Sequence, residues 1–107
     1  MGLRFFRKSR PPVLAKGTVA ALWPTTENYD QFRAICEDEL PRTLTGYISS
    51  WGPTEDYVDR MGGQFVRVPF DVQLMAVWCR SEYGKLDEAA RNAYARHLLG
   101  EVTPAKV

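Results

Sequence analysis

Cys36, Cys79 and His97 are the residues of this chain best equipped for nucleophilic chemistry. A thiol activated by an imidazole needs the two side chains within hydrogen-bond reach and a sulfur able to ionise. All three fall on apolar stripes of expected helices, so they meet only inside the core, where a thiol is inert. One histidine and two cysteines, with no CxxC, HxxxH or DxDxDG spacing, fall short of a structural zinc site and make no calcium loop. Gly62-Gly63 matches neither the P-loop nor the dinucleotide fingerprint, and after a short helix it reads as a cap and turn. Carboxylate pairs occur at Glu37/Glu39 and Glu55/Asp56, but nothing in the sequence raises their pKa toward general-acid work. The expectation is a non-enzyme, with no catalytic residue, no metal ligand and no cofactor.

What remains is the chemistry of recognition. Residues 1–16 carry Arg4, Arg7, Lys8, Arg10 and Lys16 and no acid, a charge of +5, whereas the rest of the chain, with nine bases and thirteen acids, carries −4. The basic residues, interleaved with Phe5 and Phe6, are suited to tracking phosphates, entering a minor groove, stacking on bases or inserting into a membrane interface. The plainer reading is a terminal tail. Two expected helices, 70–83 and 87–99, have the order of a helix-turn-helix with Arg91 and Arg96 facing outward. An antiparallel helical hairpin is the commoner arrangement. The second helix also opens on two acids, and a body at −4 repels phosphate.

Protein binding draws on other residues. Glu37, Asp38 and Glu39 crowd the expected end of a helix, where the dipole disfavours negative charge. A locally unfavourable choice of this kind can mark a functional surface that steers a basic partner. A solvated charged face is the plainer reading. The aromatic supply is generous, with Trp23, Trp51, Trp78 and five tyrosines. Aromatics dominate binding hot spots as well as cores. Trp51, beside Gly52-Pro53, and Tyr47 are the expected exposed members.

These side chains must be positioned by a mainly α fold. The stretch 68–83 reads as a helix, with Pro69 at its first position, Asp71 in the first turn and Gly84 beyond its end. It is apolar on two opposite faces, Phe70/Leu74/Val77/Trp78 and Val72/Met75/Ala76/Cys79/Tyr83, which predicts a central helix packed between two layers. Other helices are expected at 28–40, with Asn28 and Gln31 as a capping box, at 41–51, at 54–61 and at 87–99. The run 64–68, QFVRV, alternates as a strand and needs a partner, for which 18–22 is the candidate.

The sequence thus predicts a basic flexible arm (1–12), one helical domain of four to five helices (13–100) with at most one short two-stranded β element, 64–68 being otherwise an unpaired extended linker, and a frayed tail (101–107). Buried cysteines point to a reducing, cytoplasmic setting. No run of 18 or more apolar residues provides a transmembrane span. The expected role is a small protein–protein interaction module, an inhibitor, adaptor or regulator of bacterial or phage type. The alternative is nucleic-acid binding through the arm and the last helix pair.

Overall fold

The computed structural model describes residues 17–100, so the arm 1–12, residues 13–16 and the tail 101–107 lie outside the described residues. In chain order the elements are β1 (Thr18–Leu22), α1 (Tyr29–Ile35), α2 (Leu44–Ser50), α3 (Gly52–Arg60), β2 (Gln64–Val68), α4 (Val72–Tyr83) and α5 (Glu88–Leu98). The fold is mainly α with a two-stranded sheet. The strands occupy the expected bounds and run parallel, from Thr18 opposite Gln64 to Leu22 opposite Val68. Parallel neighbours require a crossover, supplied here by α1, α2 and α3. Two strands alone are marginal in water and need a packed face. That face comes from α5, which lies against β1. Ala20, Ala21 and Leu22 are all buried, as in a strand covered on both sides. The buried alanines Ala90, Ala93 and Ala95 give α5 little side-chain bulk at its packed positions.

Where the strands begin, two backbones meet. The Gln64 N–H donates to the Gly17 carbonyl at 3.0 Å and the Gly63 N–H to the Val58 carbonyl at 2.8 Å. A Cβ on Gly63 would sit 2.2 Å from the Gly17 oxygen, with no flexible side chain to yield. Gly63→Ala is therefore expected to cost about 3 kcal/mol by forcing the strand starts apart. Gly52→Ala, at a position with nothing within 4 Å, should stay within about 0.5 kcal/mol of the parent. Urea midpoints of the two variants check the contrast.

The expected central helix is corrected in two respects. It begins at Val72, not at residue 68, because Val68 completes β2 and its carbonyl accepts from the Trp23 N–H at 2.9 Å. Asp71 is consequently the N-cap, its carboxylate accepting from the Leu74 N–H at 2.9 Å. One of the two apolar faces is largely buried, and the other is split, with Phe70 and Trp78 half-buried against the core. Val72, Met75, Ala76 and Cys79 are in the core, whereas Leu74 and Val77 are 63% and 67% exposed. Among the described residues no second layer covers Leu74 and Val77.

Helix α1 is also shorter than its apolar pattern implied. Asn28 does not form the expected box with Gln31. It pairs backwards with Thr25, each side-chain oxygen accepting from the other's backbone N–H at 2.8 and 3.3 Å. The helix stops at Ile35, with Cys36 extended (φ −73°, ψ 142°). Phe32, fully buried, is ringed by Phe70, Tyr47 and Tyr29, with ring centres 5.1, 5.7 and 6.1 Å away. Helix α2 starts at Leu44 instead of Pro41, because the Thr43 hydroxyl caps it by accepting from the Gly46 N–H at 3.1 Å.

Candidate functional site

Residues 36–43 are non-helical, yet Glu37, Asp38, Pro41 and Thr43 are each held by hydrogen bonds. Once α1 ends at Ile35, Glu37, Asp38 and Glu39 no longer face a helix C-terminus, and the electrostatic conflict read from the sequence disappears. Glu37 is a backbone clamp. Its N–H donates to the Leu86 carbonyl at 2.9 Å, and its carboxylate accepts from the Leu86 N–H at 3.0 Å. Asp38 takes both terminal nitrogens of Arg91, the Nη2 bond measuring 3.0 Å. This two-pronged geometry is the strong form of a carboxylate–guanidinium pair. The bond from Arg91 holds the Asp38 carboxyl below its ordinary range, against the opposing effect of burial. Farther on, the Tyr29 hydroxyl donates to the Pro41 carbonyl. Two of the three acids expected to form a steering ridge are therefore occupied internally, and Glu39 alone stays exposed without a partner among the described residues.

Two other expected surface residues are also corrected. Arg91, placed by its helical face among outward bases, is only 5% exposed, and its guanidinium lies 5.9 Å from the Phe32 ring centre. Its partner comes from 53 residues away, which no local pattern reveals. Tyr47, expected at an exposed corner, is buried, with its hydroxyl donating to the Leu22 carbonyl at 2.8 Å. Arg96 is half-buried and its Nε is enclosed without a hydrogen-bond partner among the described residues. The α5 face thus lacks the pair of free arginines that the helix-turn-helix reading required. Arg4, Arg7, Lys8, Arg10 and Lys16 lie outside the described residues.

The structure nonetheless brings four of the five predicted partner-binding residues together. Asp38, Glu39, Tyr47 and Trp51 line one open cleft of about 280 Å³, and Glu37 stands outside it. One wall is the pinned segment 38–41. A second is the α2–α3 junction, where Ser50, Trp51 and Thr54 face in, and the third is the start of α5, with Glu88, Arg91 and Asn92. Trp51 is half-buried, braced edge-on by Phe65 at 5.6 Å. Three carboxylates face one guanidinium, and the guanidinium is already neutralised by Asp38. The field in the cleft is therefore set by Glu39 and Glu88, both exposed. Glu88 and Asn92 were legible as neighbours on one helix face, but only the fold aims them at the acid run.

The groups considered for catalysis sit in the wrong environment for it. Burial pushes the Cys79 thiol up to about 12, and burial likewise raises that of Cys36. A nucleophilic thiol needs the opposite shift. Both cysteines are free. At pH 8 a disulfide reagent is expected to label half-buried Cys36 slowly, and Cys79 only as fast as the protein unfolds. Mass spectrometry of the labelled peptides checks this. His97 stacks on Trp78 at 5.0 Å and on Tyr94 at 6.0 Å, and burial lowers its pKa.

No protein-family model matches the chain, and neither a curated protein nor a solved structure matches it significantly. No helix among the described residues is long and apolar enough to cross a membrane.

Proposed function

We propose that the protein is a binding module rather than an enzyme, acting as an inhibitor, adaptor or regulator, and that the cleft beside Trp51 receives a basic side chain of a protein partner. The observation that carries this reading is the convergence of two exposed carboxylates, Glu39 and Glu88, on a tryptophan in one cleft. A lysine or arginine entering there gains charge-assisted bonds and an aromatic surface together. At about 280 Å³ the cleft has room for a side chain. The wall is set before binding, because Glu37, Asp38 and Thr43 are already engaged within the fold, so little ordering is left for association to supply.

Isothermal titration with short arginine-centred peptides tests the reading. The parent is expected to bind them with a salt-sensitive affinity. Glu39→Gln/Glu88→Gln should weaken that affinity by at least 10-fold without changing the thermal midpoint by more than a few degrees. Equal affinity in the parent and the double variant would contradict the proposal.

A further inference from the structure

We infer that the cleft also has an occupant within the chain, the basic segment 1–12, which competes there with the partner and so lowers the protein's apparent affinity; this rests on the binding role proposed for the cleft. The first argument is charge. Residues 1–16 hold five bases and no acid, and residues 17–100 hold eight bases against twelve acids. Within that acidic body, the cleft sets the exposed Glu39 and Glu88 beside the half-buried Trp51. Arg4, Arg7 and Arg10 bring the guanidinium groups that suit Glu39 and Glu88, and Phe5 and Phe6 bring rings that suit Trp51.

The second argument is reach. The described chain starts at Gly17, thirteen residues beyond Arg4. At about 3.3 Å per residue, that length spans about 43 Å. The described residues measure 40 × 34 × 19 Å, so a stretch of that length matches their long dimension and exceeds the other two. The third argument is effective concentration. A tethered segment of this length is present at about millimolar concentration near its own body. A contact too weak to matter between separate molecules is then substantially populated. A partner's basic side chain must displace it, and the apparent affinity falls by the fraction of clefts left open.

The test compares the parent with a full-length Arg4→Gln/Arg7→Gln/Lys8→Gln/Arg10→Gln variant, using the Trp51 indole N–H resonance and a synthetic peptide of residues 1–12 added in trans. The expected result has three parts. The indole resonance differs between the two proteins. Half-molar salt moves the parent's resonance onto the variant's. The added peptide binds the variant at least 5-fold more tightly than the parent. Equal peptide affinity for both proteins, with a parent resonance indifferent to salt, overturns the inference and leaves the cleft's binding role standing. A peptide that binds neither protein overturns both. A parent resonance that shifts with protein concentration assigns the contact to a second copy and overturns the intramolecular form.

Discussion

Phe32→Ala is expected to remove about 4 kcal/mol of stability, the largest single-residue effect in this fold. The side chain is completely buried, and truncating a phenylalanine in that position costs about 3–5 kcal/mol through lost transfer energy and the cavity left behind. Here the cavity cannot easily collapse. Its walls are Tyr29, Tyr47 and Phe70, and both tyrosines are tethered by their hydroxyls, to the Pro41 and Leu22 carbonyls. The Arg91 guanidinium also loses the ring beside it. A domain of this size holds about 5–15 kcal/mol in total, so the variant should lose from about a quarter to most of its stability. Phe32→Leu, which leaves a smaller hole, should recover more than half of the loss. Chemical denaturation of both variants provides the measurement.

Asp38→Ala is expected to cost about 3 kcal/mol for a different reason. The Arg91 side chain is only 7% exposed, and without its carboxylate it becomes a buried, uncompensated charge. Breaking one side of such a pair costs about 3–5 kcal/mol. The lower end applies because the Asp38 side chain is 34% exposed, leaving water a route to the guanidinium. The double variant Asp38→Ala/Arg91→Met should be more stable than Asp38→Ala alone, since no orphaned charge remains. The pair also gives stability a pH signature. Arg91 holds the Asp38 carboxyl below its ordinary value in the folded protein, so in the interval between the two values the unfolded chain binds the extra proton. The contribution is therefore complete above the ordinary carboxylate pKa of about 3.9 and is lost as pH falls through the depressed value. Thermal melts of the parent below about pH 4 should fall more steeply than those of Asp38→Ala.

The sequence carried the elements better than their contacts. The alternation of Gln64–Val68 located β2, and the need of a lone strand for a partner pointed to Thr18–Leu22, but not to the parallel direction, which follows from how α1, α2 and α3 cross over. Asp87 marked the start of α5 and Gly84 the end of α4, because capping chemistry is local. The start of α4 was misread because Pro69 and Asp71 both resemble helix starts, and only the demand of β2 for Val68 decides between them. Three acids at the end of a helix were a genuine signal with a different meaning. They marked a helix that had already stopped, freeing Glu37 and Asp38 to clamp Leu86 and Arg91. Trp51 and Glu39 were singled out for separate reasons, one as a tryptophan at a turn and the other as part of an acid run. That they share a cleft is a property of tertiary structure. The burial of Tyr47 and Arg91 was equally out of reach, since their partners lie 25 and 53 residues away.

The most direct test of the account is a residue-resolved map of amide shifts in the parent as an arginine-centred peptide is added. The predicted result is a set of shifts confined to Glu39, Ser50, Trp51, Thr54, Glu88 and Asn92, absent in Glu39→Gln/Glu88→Gln. Shifts centred on another face, or spread evenly over the protein and unchanged in the double variant, would contradict it.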